Sequence, residues 1–92
     1  MMNLVKYFGE FIGTFIFISV ILIVGEPIPI SVALLAVIYL VGKVSGGHIN
    51  PIVSISMLIN KKISNLDFGG YVIAQFLGGV AAVYFAKMVK KM

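Results

Sequence analysis

Three long apolar runs, each closed by a short polar or proline-rich break, set the pattern of the chain. The first, Phe11 to Gly25, is apolar except for Thr14 and Ser19. With Gly9 and Glu10 at its start it predicts a helix over about 9–25, in the length range that crosses a hydrocarbon core of ~30 Å. Glu26-Pro27-Ile28-Pro29 breaks the run, because two prolines do not fit a helix interior but suit a helix start. A second helix follows over about 30–44, with Lys43 close enough to its end to snorkel to the interface. Ser45-Gly46-Gly47-His48-Ile49-Asn50-Pro51 is the second break. The run behind it, Ile52 to Ile59, rises only ~12 Å as a helix, too short to cross. Asn50 is a good N-cap and Pro51 an ideal first helical residue, so segment 45–60 reads as a half-helix that enters the membrane and leaves by the same side. Asn60 to Asp67 is a polar loop, a third helix runs over about 68–88, and Lys90-Lys91 closes it.

A signal peptide is the rival reading of the first run, with Lys6 as its charged region and Phe11 to Val24 as its apolar one. Val24-Gly25-Glu26-Pro27 lacks a small-x-small cleavage pattern and further apolar segments follow, so the run is read as helix one. Residues 1–92 form a single membrane domain, with no soluble domain, linker or internal repeat.

Composition narrows the class. The chain is 61% hydrophobic and 11% charged, and its mean hydropathy is +1.15. A soluble fold of 92 residues exposes most of its surface, and seven lysines and three acids cannot cover it. The absence of Cys excludes a disulfide scaffold, and one His without Cys leaves no zinc site. Too few residues are polar for disorder. An all-α integral, multi-pass membrane protein remains. The net charge of +4 comes from lysines placed singly or in pairs between apolar runs, which suits membrane flanks and not a nucleic-acid face. No nucleophile–His–acid set, phosphate loop or metal cluster is present, so neither catalysis nor a cofactor is expected.

The polar break is the candidate site. Irregular backbone at membrane depth is tolerated only where it is buried in protein or lines a watery cavity. Glycines let the loop Ser45, Gly46, Gly47, His48 and Ile49 turn carbonyls toward a lumen. The half-helix N-terminus carries a partial positive charge, which opposes protons and cations. Asn50 is able to cap that end through its oxygen and offer its amide NH₂ to water. A plain capping turn in a membrane bundle is the bland alternative.

At this point the residues match a family. Gly9-Glu10-Phe11-Ile12-Gly13-Thr14-Phe15 resembles the first-helix signature of the aquaporins, the major intrinsic proteins. Ser45-Gly46-Gly47-His48-Ile49-Asn50-Pro51-Ile52-Val53 resembles their Ser-Gly-x-His-hydrophobic-Asn-Pro-Ala-Val loop, with Ile52 in place of Ala. Tyr71-Val72-Ile73-Ala74-Gln75-Phe76-Leu77-Gly78 resembles the start of their third helix. Order and spacing agree, over one half of the family's fold. The resemblance implies three spans plus one re-entrant half-helix, completed by an inverted second half. It implies a passive channel for water or small neutral solutes such as glycerol, with Asn50, Pro51 and Ile52 at its centre and Glu10 bracing the loop. The residue reading of Glu10 leaves two other roles open, a proton relay or a solvated acid near the headgroups. By distance from Asn50, the family's filter positions fall at Ile30, Ile38, Gly47 and Val53, and the family's filter Arg is missing. Such an apolar filter passes water slowly, or favours less polar solutes.

One half-helix reaches only the midplane, so the expected partner is an antiparallel second copy or a complementary half-repeat. By family resemblance, four such pairs assemble together. Lys6, Lys43, Lys61 and Lys62 fall on one side of the three spans, against Lys87, Lys90 and Lys91 on the other. So weak a bias permits insertion in both orientations. The alternative function is a non-conducting scaffold.

Overall fold

All four elements are helical in residues 2–90, which the computed structural model describes. They are α1 (Met2–Ile23), α2 (Pro27–Ser45), α3 (Pro51–Ile59) and α4 (Asn65–Lys90). Lys91, expected among the closing lysines, lies outside the described residues. α1, α2 and α4 are each long and apolar enough to cross a membrane. The nine residues of α3 rise only ~13 Å.

Every long helix starts earlier than the apolar runs suggest, for local reasons. α2 begins at Pro27 and keeps Pro29, because the first N–H groups of a helix have no intrahelical partner to lose. α4 begins at Asn65, three residues before the apolar run. Ser64 caps it, accepting the Asp67 N–H on its hydroxyl at 3.0 Å and the Phe68 N–H on its carbonyl at 2.9 Å. α1 extends back to Met2 and brings Lys6 and Tyr7 onto the helix. The ends follow the glycines: Gly25 closes α1 at φ 69° and Gly46 closes α2 at φ 91°, both left-handed.

α1 is the hub. It packs on α2 and on α4, whereas α3 packs only on α4. Lipid offers no hydrophobic drive between helices, so close backbone approach must supply the contact. Ala74, Gly78, Ala82 and Ala86, each four residues from the next, are the buried small residues of α4. A Cβ on Gly78 would stand 2.5 Å from the Phe11 carbonyl oxygen, and one on Gly70 would enter the Tyr7 ring. Gly79 and Ala81 are only half-buried, because they stand off the four-residue step. Gly46, four residues after Gly42, has already left the helix as its cap and makes no helix-packing step with it.

Tyr7 and Tyr71 turn their hydroxyls inward to partners within the protein. The Tyr7 hydroxyl donates to Asp67 Oδ1 at 2.9 Å, while Lys6 Nζ pairs with Asp67 Oδ2 at 2.8 Å. Asp67, expected in a polar loop, is thus buried and ties the start of α4 to α1. Tyr71 is 2% exposed and donates to the Ser45 carbonyl at 2.6 Å.

The α1–α4 approach makes a measurable contrast. Gly78→Ala should destabilise the fold by about 1–3 kcal/mol, the cost of overpacking a tight contact. Gly79→Ala, whose Cβ meets nothing within 4 Å, should be neutral or slightly stabilising through its helix propensity. Thermal unfolding of both variants in detergent micelles checks the pair.

Candidate functional site

The re-entrant loop is built by three left-handed residues in four. Gly46 stands at φ 91°, Gly47 at 64° and Ile49 at 62°. The glycines adopt this conformation freely, whereas Ile49 is β-branched and its conformation costs on the order of 1–3 kcal/mol. Gly47 comes close to α2: a Cβ there would meet Ile38 Cα at 3.4 Å and Gly42 Cα at 3.6 Å. Asn50 returns to extended backbone and caps α3, its Oδ1 accepting the Ile52 N–H at 2.7 Å. Pro51 then takes the first helical position.

Glu10 organises the inner side of this loop. It is fully buried, and each of its oxygens accepts two hydrogen bonds. Oε2 accepts from Ser45 Oγ at 2.7 Å and from the His48 N–H at 2.9 Å. Oε1 accepts from the Ile49 N–H at 2.8 Å and from Gln75 Nε2 at 2.9 Å. Carboxylate bonds to N–H and O–H donors are the stronger kind, and two of these answer loop amides that no helix satisfies. All four acceptor sites of Glu10 are thereby engaged.

A second polar layer lies behind the first. Gln75 Nε2 also donates to Ser54 Oγ at 3.0 Å, and Ser54 Oγ is hydrogen-bonded to His48 Nδ1 at 2.8 Å. The His48 ring leans on Tyr71, with centroids 4.7 Å apart. His48 therefore meets Glu10 through its backbone and α3 through its ring. Gln75, Ser54 and Tyr71 carry roles that their sequence positions did not announce. Gln75 offered the clearest signal, as a polar side chain within an apolar span.

The predicted site residues separate into two groups. The side chains of Ser45, His48 and Ile49 are buried against the helices, and Gly47 is buried with them. What the loop leaves open is Gly46, Asn50, Pro51 and Ile52, the last 68% exposed. Of the filter positions, Ile38 and Gly47 touch. Ile30 lies eight residues before Ile38 on α2, ~12 Å along the axis and toward the opposite membrane face. Val53 is half-buried in the first turn of α3. One chain therefore does not gather the four positions at one mouth.

Asn50 and Pro51 border an open groove of about 490 Å³ between α1 and α4, walled by Phe17, Ile18, Phe76 and Val80. Thr14 and Gln75 also line it, and both Thr14 Oγ1 and Gln75 Oε1 lack a partner within the described residues. At the other end of the loop, Lys6, Lys62 and Asp67 line a cleft with His48 and Gly46. This places Lys6, near the start of α1, and Lys62, after α3, on one membrane face. Lys87 and Lys90, in the last turn of α4, stand at the other.

The four bonds to Glu10 predict the outcome of its closest replacement. Glu10→Gln keeps the shape but turns an NH₂ toward two of the donors, so about 3 kcal/mol of stability should be lost. Amide hydrogen exchange at His48 and Ile49 should accelerate before that of the spans, as read by mass spectrometry.

Comparison with known proteins agrees with this architecture. The family model for major intrinsic proteins matches residues 1–92. The glycerol uptake facilitator protein-like 6 of Lactiplantibacillus plantarum is 41% identical over 86 residues, covering 84% of this chain and 40% of the relative. Aquaporin NIP3-1 of Arabidopsis thaliana is 37% identical over 98 residues, covering 91% of this chain and 30% of the relative. Aquaporin Z of Photorhabdus laumondii is 36% identical over 59 residues, or 64% of this chain and 26% of the relative. The chain thus spans less than half the length of these relatives. It is an integral membrane protein with three spanning helices, and it belongs to the major intrinsic protein family.

Proposed function

We propose that the chain forms half of a passive channel for water or small neutral solutes, completed by a second copy in the opposite orientation. The observation that carries this reading is the exposed Asn50 at the capped N-terminus of a helix too short to cross. Its oxygen is occupied by the Ile52 N–H, which leaves its NH₂ free to donate. The left-handed loop before it carries backbone carbonyls that accept. Donor and acceptors in sequence suit a molecule that exchanges hydrogen bonds as it moves.

The same geometry argues against charged permeants. Glu10, the one acid at membrane depth, is fully buried and saturated with donors, so it has no free oxygen to offer a cation. The positive end of α3 adds a barrier to cations and protons. The relatives named as a glycerol facilitator and as aquaporins support a neutral permeant. Ile30, Ile38 and Val53 as filter positions would favour the less polar among such solutes.

The need for a second half follows from what the chain leaves uncovered. Polar backbone at membrane depth cannot face lipid. Among its own residues α2 buries only Val37 and Ser45, and the groove beside Asn50 stands open. An inverted copy would cover these surfaces and bring Ile30 of one chain toward Ile38, Gly47 and Val53 of the other. The described lysines, four on one face against two on the other, bias orientation weakly.

Liposomes holding only the purified chain test the reading. Under a sucrose gradient they should shrink faster than empty liposomes, and under a glycerol gradient they should re-swell if glycerol passes. Asn50→Leu should return shrinkage to the empty-liposome rate while leaving assembly intact. Absence of flux with folded, inserted protein would overturn the self-sufficient channel. It would favour a complementary half or a scaffold.

A further inference from the structure

Two features of α1 face Ile49. Glu10 Oε1 accepts its N–H at 2.8 Å, and one turn later Gly13 leaves the space that its side chain enters. Residues three apart share a helix face, so both features are presented together. A Cβ on Gly13 would stand 2.7 Å from Ile49 Cδ1 and 2.9 Å from Val37 Cγ1, nearer than real Cβ atoms approach anything. Ile49 itself is 6% exposed and sits at φ 62°. A β-branched residue persists in that conformation only where its surroundings over-determine it.

The carboxylate does not supply that constraint alone. It accepts from three other donors on the loop, α2 and α4, so it draws the chain inward without selecting one backbone turn at Ile49. The space at Gly13 adds the missing constraint, because it fixes the side chain as well as the N–H. Ile49 immediately precedes Asn50, so its turn sets the direction in which the capping residue leaves the loop.

We propose that Gly13 is a positioning residue of the re-entrant loop: its missing Cβ is the socket that holds Ile49 in left-handed backbone and so aims Asn50. The effect on flux rests on the channel reading above, whereas the effect on the loop rests on this geometry alone. Filling the socket forces one of two neighbours to yield. If Val37 yields, α1 and α2 spread. If Ile49 yields, the loop turns. The loop is the softer of the two, because displacing Val37 moves a 19-residue helix whose last residue is bonded to Glu10.

The test compares Gly13→Ala alone, with Ile49→Val, and with Val37→Ala, in the full chain. Ile49→Val removes the Cδ1 methyl that the new Cβ displaces, and Val37→Ala removes the contact on α2. Amide hydrogen exchange in nanodiscs reads the loop, and stopped-flow in liposomes reads flux. Gly13→Ala should speed exchange at His48 and Ile49 about tenfold with the spans unchanged, and should lower water permeability per chain about tenfold. Adding Ile49→Val should bring both back to within about threefold of the parent, and adding Val37→Ala should not. Unchanged exchange at His48 and Ile49 in Gly13→Ala would overturn the proposal. So would rescue by Val37→Ala and not by Ile49→Val, which would make Gly13 a spacer between helices. If the parent chain conducts nothing, the channel reading falls, and the exchange rates alone decide the role of Gly13.

Discussion

A carboxylate at membrane depth must find its own solvent inside the protein, and Glu10 finds it in four donors from three segments. Ser45 ends α2, His48 and Ile49 lie in the loop, and Gln75 belongs to α4. Each side needs the other. The carboxylate without donors would be a buried unsatisfied charge, and the loop amides without the carboxylate would be orphaned at the same depth. α2 does not pack helix against helix on α3 or α4, and it meets α4 only where the Tyr71 hydroxyl reaches the Ser45 carbonyl. Glu10 on α1, with the Tyr71–Ser45 bond beside it, therefore joins pieces that helix packing leaves separate, and the position of Asn50 depends on it.

That arrangement works only if the backbones are close, because a glutamate side chain is short. The small residues of the contact faces provide the closeness. Gly78 lets the Phe11 carbonyl approach α4, Gly70 admits the Tyr7 ring, and Gly13 admits Ile49 and Val37. The large apolar side chains point the other way, with Leu35, Tyr39, Leu40 and Phe76 all well exposed on the chain. In water this distribution would be inverted. In lipid it is the economical one, since burying isoleucine against protein gains little over burying it against acyl chains.

The chemistry of the site follows from what the bracing consumes. Every oxygen of Glu10 is used inwardly, and so are the side chains of Ser45, Ser54 and His48. Asn50 keeps one free donor group, the loop keeps its backbone, and an apolar groove opens beside them. A free donor beside backbone acceptors and an apolar wall suits the short-lived hydrogen bonds that the proposed channel would exchange with a passing molecule. Polar backbone at membrane depth is tolerated only where protein covers it or a watery cavity meets it, which is why the proposed channel includes a second half.

The apolar runs, the two proline-marked breaks and the shortness of the 52–59 segment were enough to place three spans and one half-helix, because hydrocarbon thickness sets helix length directly. Asn50 as the cap of α3 was legible for a similar reason: capping is local, and its partner is two residues away. The helix starts were less so. The cap at Ser64 lay in plain sight as Ser64-Asn65-Leu66-Asp67, but the polarity of those residues masked a helix that begins before its apolar run does. What the tertiary structure alone decided is the pairing across the chain. Gln75 bonds to a residue 65 positions away, Asp67 to Lys6 and Tyr7, and Tyr71 to the Ser45 carbonyl. Hydropathy records how deep a residue sits, whereas a hydrogen bond depends on rotation about the helix axis and on how near two backbones come. Those quantities are set by where glycine and alanine permit contact, and they exist only once the helices have packed.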